Sequence, residues 1–286
     1  MGFGFGGAVV TPSLAVAIDA FGWRNTTLVA GVLIWAIYIP LSTRLYGTPE
    51  ARGLQPDGEP SDALSQNNKA RQERSDPVVS PAELTANEAL RTSSFWLLTA
   101  SLAMRGMIFS ALLIHMVAIM VSKGLEEATA GLLIGVFPLT WMPVALSMAW
   151  LGDRWSRRRV AALGGFVSAL GILLLLLLGT VGIGQMILVF VLLSASEGSW
   201  IVAWAMLAEE FGRKNFGLLR GVIMGTVSLM SVGAPFYAGW IFDKFGDYQW
   251  LLVPSTIVLA LAGFLNWIMP EVRPTLRLKR PSSTTG

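Results

Sequence analysis

Long stretches without a formal charge are the feature that most restricts what this chain can become. No Asp, Glu, Lys or Arg interrupts Ala128 to Gly152, Gly221 to Phe242 or Tyr248 to Pro270. The run from Val160 to Ser196 is long enough for two helices, with a break at Gly179-Thr180-Val181-Gly182. Crossing a hydrocarbon core of about 30 Å takes roughly 20 apolar residues at the helical rise. A membrane barrel would instead show short alternating segments. Only 14% of the residues are charged and 53% are hydrophobic, whereas a soluble domain carries about 25% charge. The pattern predicts an all-α integral membrane protein of about eight transmembrane helices, at residues 2–20, 26–46, 94–121, 128–151, 160–180, 184–208, 217–241 and 249–270.

The second and third spans are separated by a polar stretch rich in proline and acidic residues, residues 47–91. Such a composition buries too little apolar surface to fold alone, so the stretch reads as a linker between two membrane units. The expected organisation is a pair of helices in 1–46, the linker in 47–91, a six-helix bundle in 92–271 and a polar, basic tail in 272–286. Placing linker and tail in the cytoplasm puts seventeen of the twenty-one Lys and Arg residues inside. Arg24, Lys123 and Lys244 remain outside, and Arg105 falls within a span. That bias is the positive-inside pattern of multi-pass proteins. It accounts for the basic balance without nucleic acid, and it predicts a plasma or inner membrane location with the bilayer as partner.

A short internal repeat supports two related halves. Asp19-Ala20-Phe21-Gly22 ends the first span and Asp243-Lys244-Phe245-Gly246 ends the seventh, each behind a proline, Pro12 or Pro235. Parallel six-helix repeats characterise one large transporter architecture. The loop Leu151-Gly152-Asp153-Arg154-Trp155-Ser156-Arg157-Arg158-Arg159 resembles the signature loop of the major facilitator superfamily, with Ala149 and Ser156 where that motif has glycines. Glu209-Glu210-Phe211-Gly212-Arg213-Lys214-Asn215-Phe216-Gly217 resembles the loop before the family's eleventh helix. Gly22-Trp23-Arg24 and Gly53-Leu54 with Pro56-Asp57-Gly58 resemble two further family turns. The resemblance implies a partial twelve-helix fold in which these eight spans correspond to the fifth through the twelfth. It also implies that transport requires four further helices beyond this chain.

The residues that could carry function are few. Arg105 lies about eleven residues into its span, roughly 16 Å along the helix and near the bilayer midplane. Insertion there costs about 2.5–3.5 kcal/mol, which a partner or a wet cavity must offset. Glu197 is the one acidic residue deep in a span. Two readings stand: Arg105 holds a substrate carboxylate while Glu197 balances charge or carries a coupled proton, or the two form an ion pair that locks helices. Ser194, Glu197, Trp200 and Trp204 recur at three- and four-residue intervals on one helix face, so the two indoles are candidates for substrate contact. His115, the single histidine, is a second candidate proton or gating group, because imidazole changes charge near neutral pH. Asp153, Arg154, Arg157 and Arg158 form a candidate gating loop, with arginines able to bond helix-end carbonyls and pair with Asp153. Pro138 and Pro143 are expected to interrupt the fourth span's hydrogen bonds.

Nothing in the chain suggests catalysis. A phosphate-binding glycine-lysine motif is missing, and one histidine with no cysteine makes a zinc or serine-histidine site improbable. No cofactor or metal is expected. The resemblance implies a secondary transporter moving a small organic solute by alternating access, with a carboxylate suggested by Arg105 and the monocarboxylate and oxalate–formate look of the span from Phe95-Trp96 to His115. A proton or counter-ion would accompany it. Efflux of amphipathic drugs and a non-transporting membrane fragment are the alternatives.

Overall fold

The computed structural model describes residues 10, 13–14, 16–44, 85–212 and 215–270. Its long helices are α1 (Trp23–Arg44), α3 (Ser93–Ser122), α4 (Glu127–Arg154), α5 (Arg157–Leu177), α6 (Ile183–Phe211), α7 (Phe216–Phe245) and α8 (Gln249–Ile268), with a short α2 (Ala86–Leu90) before α3. All seven long helices are long and apolar enough to cross a bilayer, and no strand occurs among the described residues. The protein is thus a multi-pass, all-helical membrane protein. Most of the expected first span, 2–20, lies outside the described residues, as do most of the linker and the whole of the tail, 272–286.

The helix ends lie within four residues of the expected span ends: α4 includes Asp153 and Arg154, α6 reaches Phe211 and α7 Phe245, while α5 stops early at Leu177 and α8 at Ile268. The break expected at 179–182 is present as the α5–α6 turn. Pro138 and Pro143 are accommodated inside an uninterrupted α4. Near the expected linker boundary the chain is folded: Thr85 and Glu88 cap α2 reciprocally, and Thr92 caps α3 through Phe95 N. Each cap satisfies amide donors that a helix start leaves unpaired.

α1 belongs to a separate unit, Pro12–Ser80. The six helices α3–α8 pack as one unit in which α3 lies against α7 and α8, α5 against α6 and α8, and α4 against α6. Membrane helices gain little from burying apolar area against each other, so close backbone approach and interhelical hydrogen bonds decide their pairing. Gly165 faces Gly263 across α5 and α8 so tightly that a Cβ at 165 would lie 2.7 Å from the Gly263 backbone. A Cβ at Gly106 would lie 2.6 Å from Val227 of α7. Polar links accompany these contacts: Ser101 Oγ donates to Ala262 O at 3.0 Å, and Asn266 Nδ2 donates to Ser101 Oγ at 2.6 Å.

The repeated tetrapeptide has a structural counterpart. Gly22 and Gly246 both adopt left-handed φ, 75° and 72°, and each closes its helix by an N–H bond to the carbonyl four residues back, Ile18 or Phe242. A side chain there would meet steric cost that glycine lacks.

Candidate functional site

α3 carries Arg105 into the interior of the six-helix unit, where only 1% of the residue is exposed. Its partners are prepared by the packing of α5 on α6. Ser196 N bonds Ser168 Oγ of α5 at 2.8 Å, and Ser168 Oγ donates in turn to Leu192 O at 3.0 Å. On the next turn Ser199 sits against Gly164, where a Cβ would collide with the Ser199 hydroxyl and approach Ala195 O to 2.7 Å. Arg105 Nε then donates to Ser196 Oγ at 2.8 Å and Nη2 to Ser199 Oγ at 2.6 Å. Nη1 is buried without a hydrogen-bond partner.

Of the two readings of Arg105 and Glu197, the direct ion pair is not formed. Glu197 is half-buried and acts on the guanidinium through its charge, but the guanidinium's contacts are the hydroxyls on either side of it. Successive helical residues diverge by about 100°, so the face that places Ser196 and Ser199 on Arg105 turns the Glu197 side chain aside. Both residues line a small cavity of about 30 Å³ whose other walls include Phe109, Ile134, Phe137 and Phe190, room for about one water molecule.

The aromatic stripe is continuous with this node. The Arg105 guanidinium lies 5.8 Å from the Trp200 ring centre, Trp200 and Trp204 are 5.7 Å apart, and Arg220 of α7 lies 4.8 Å from Trp204. Ser194, on the same face by spacing, is buried and hydrogen-bonded to Phe190 O and Thr140 Oγ1 of α4. That pairing makes it a helix–helix link.

His115 stands in the C-terminal half of α3, away from the Arg105 node, and bonds Tyr248 Oη and Pro235 O, each at 3.1 Å. It borders a wider, open cavity of about 790 Å³ between α3 and α7, shared with Ser110, Ser231 and Asp243.

At the α4–α5 turn the charges pair differently from the expected pattern. Asp153 is mostly exposed and reaches only Arg157, at 3.6 Å. Arg154 stacks over Trp150, 4.0 Å from its ring centre. The strong contacts run to the end of α6: Arg157 pairs with Glu209, and Arg158 donates from Nε and Nη2 to Glu210 at 3.0 and 2.5 Å. Arg158 Nη1 also donates to Met269 O at 3.2 Å, bonding the carbonyl end of α8 as the sequence suggested an arginine could. Glu209 and Glu210 are the functional candidates that sequence reasoning missed at this loop, as Ser196 and Ser199 are at the centre. The sequence signals were two adjacent acids closing an apolar helix and a cluster of small polar residues around Glu197.

Among the described residues no group of three or more His, Asp or Glu side chains could hold a metal ion.

The sequence pattern of the Major Facilitator Superfamily matches residues 116–285. The chain is 27% identical over 154 residues to an uncharacterized MFS-type transporter, C18.02, of Schizosaccharomyces pombe, covering 54% of this chain and 34% of that protein. It is 24% identical over 295 residues to human monocarboxylate transporter 11, covering 96% of this chain and 55% of that protein. The mouse protein of the same name matches at 24% over 289 residues, covering 96% and 58% respectively. The chain therefore spans a third to just over half of the length of these relatives. A family pattern covering more than half of the chain, together with seven membrane-length helices among the described residues, makes this chain a member of the Major Facilitator Superfamily, a family of transporters.

Proposed function

We propose that the chain forms part of a secondary transporter that moves a small organic solute, with a carboxylate as the first candidate, by alternating access. The observation that carries this reading is Arg105: a fully desolvated guanidinium that lines a cavity and has one N–H-bearing nitrogen without a partner. An anionic oxygen is the natural complement of such a group. The serine bonds hold two guanidinium nitrogens still, so the third is presented in a fixed direction. The relatives named as monocarboxylate transporters favour the same class. Two negative groups beside one guanidinium repel, so Glu197 is best suited to carry a proton when the anion is bound. Trp200 and Trp204 would flank the solute's path, and the Asp153, Arg154, Arg157 and Arg158 loop would secure one end of the cavity. The domain limits and the plasma-membrane orientation, with linker and tail in the cytoplasm, belong to this proposal.

Cells expressing the chain completed with the four further helices that the family resemblance calls for, supplied with radiolabelled acetate, pyruvate or benzoate, test it. Arg105→Gln should remain in the membrane, because an amide can still bond a serine, while saturable uptake falls. Arg105→Lys should recover it poorly, since an ammonium lacks the planar fork. Full uptake by Arg105→Gln combined with Glu197→Gln would show that the two residues only balance each other. Drug efflux is the second reading, favoured by the phenylalanine walls of the cavity. It requires extrusion of a lipophilic cation that survives Arg105→Gln and is lost in Glu197→Gln.

A further inference from the structure

The six-helix unit has a further opening, with no charged side chain in its lining. α7 and α8 both pack on α3 but touch each other little, and the crevice left between them has a volume of about 340 Å³. Ala111 of α3 belongs to its floor, Met230, Gly233 and Ala234 of α7 to one wall, and Pro254 and Val258 of α8 to the other. Its only polar side chains are Tyr237 and Ser255, and the Ser255 hydroxyl is engaged by Leu251 O at 2.7 Å. Gly233 keeps the α7 wall open, since a Cβ there would meet no atom within 4 Å.

Position along the helices restricts what can fill it. On α7 the lining runs from Met230 to Tyr237, about 10 Å at the helical rise and less than the roughly 15 Å of hydrocarbon in one leaflet. A membrane-spanning partner helix would call for a groove along the whole core, about 30 Å. The end nearer the α7–α8 turn meets a run of exposed rings. Tyr237 stacks on Trp240 at 6.2 Å between ring centres, Trp240 meets Phe245 at 6.4 Å, and Phe245 meets Trp250 of α8 at 5.6 Å. Amphipathic rings of this kind collect at the headgroup level of a bilayer. Lys244 shares their face, because Met230, Gly233, Tyr237, Trp240 and Lys244 recur at three- and four-residue intervals. Its Nζ lies back over the Trp240 ring at 4.9 Å, which brings the ammonium within about one helical turn of the crevice's end. Lys244 forms no ion pair among the described residues. Of the acids beside it in the sequence, Asp243 borders the α3–α7 cavity and Asp247 accepts from Gln249 N at 2.8 Å.

We propose that this crevice binds one phospholipid of the surrounding bilayer, an acyl chain lying between α7 and α8 and the phosphate resting on Lys244. Left unfilled, the crevice would forfeit dispersion contacts along all its walls. In a bilayer the apolar matter at hand is acyl chain, which is thin and flexible enough to follow a short channel. The phosphate above that chain is the complement of an ammonium held at headgroup level, and a bond between the two is charge-assisted. The ring beneath Lys244 engages one side of the ammonium, and its remaining hydrogens are available to phosphate oxygens. The site does not depend on whether Arg105 binds a carboxylate.

A phosphatidylcholine with a diazirine in one acyl chain tests this in the purified chain, reconstituted in nanodiscs. After irradiation, adducts mapped by mass spectrometry should be several-fold denser on residues 230–237 and 251–258 than around Phe264 and Trp267, exposed on the same helix α8. Gly233→Leu builds into the open crevice and should remove most crevice adducts while sparing those at Phe264 and Trp267. Gly225→Leu is the control, an α7 glycine equally free of neighbours and outside the crevice, and it should change neither. Lys244→Gln should lower the crevice adducts of the phospholipid several-fold but not those of the matching diacylglycerol, which has no phosphate. Adducts spread evenly over the exposed helices overturn the proposal, as does crevice labelling by phosphatidylcholine that is indifferent to Lys244→Gln. A crevice shielded from labelling in a dimer that Gly233→Leu dissociates would assign it to a second copy and equally overturn it. If Gly233→Leu fails to fold, the adduct distribution on the unaltered chain and the Lys244→Gln comparison still decide.

Discussion

Arg105 and Arg158 both bond α6, and their charges are met in opposite ways. Arg158, at the start of α5, meets the Glu210 carboxylate directly with two nitrogens, its side chain 17% exposed. Arg105, in the middle of α3 and essentially unexposed, meets only hydroxyls, with its acidic neighbour Glu197 out of bonding contact. At the edge, water moderates the desolvation of an ion pair, and the pair acts as a clasp between helix ends. In the interior a contact pair would satisfy Arg105 completely. Two serines and a displaced carboxylate leave one nitrogen unengaged, an arrangement suited to binding and poor for maximal stability.

The largest effect should come from deleting the interior group. Arg105→Ala leaves a void, two serines without their donor and a carboxylate without its nearby charge; losing one partner of a buried charged set costs about 3–5 kcal/mol. Unfolding of the purified chain in mixed micelles measures it, and a loss below that of the edge variant would overturn the contrast. Glu210→Gln replaces charge-assisted bonds with neutral ones, and since hydrogen bonds to charged groups contribute about 1.5–3 kcal/mol each, part of that amount should be lost in the same assay. Gly164→Ala should cost about 1–3 kcal/mol by overpacking against the Ser199 hydroxyl. Combining it with Ser199→Ala should cost less than the sum of the two single changes, which identifies Gly164 as part of the Arg105 support. Asp153→Asn should be the mildest, within about 1 kcal/mol, because its one contact to Arg157 is exposed. A loss comparable to that of Glu210→Gln would restore Asp153 as the principal latch.

Several features of the site are local and could be read without coordinates. Arg105 stands out because a charge amid apolar residues is conspicuous in any order of packing, and Trp200 and Trp204 lie side by side, their rings tilted by 41°, as their spacing suggests. The partners are less legible. Ser196 and Ser199 are ordinary small residues until Gly164 and Ser168 bring α5 close enough to place them. Tyr248 lies 133 positions from His115 in the chain, and only the convergence of α3, α7 and α8 brings them together. At the loop, Asp153 is the conspicuous acid, but being exposed it contributes a 3.6 Å contact while Glu210 takes the two short bonds.

By itself the sequence determined which segments are long and apolar enough to cross the membrane and, at Gly22 and Gly246, where a helix ends, because those outcomes depend on terms carried by each segment alone: transfer of its side chains into hydrocarbon, satisfaction of its own backbone and the left-handed turns at the two glycines. Which groups compensate Arg105, Arg158 and His115 was decided only by tertiary structure. In lipid the apolar surface of one helix is nearly interchangeable with that of another, so the choice of neighbour falls to glycine contacts and a few hydroxyls and carbonyls, whose meeting is a property of the packed bundle and of no single segment.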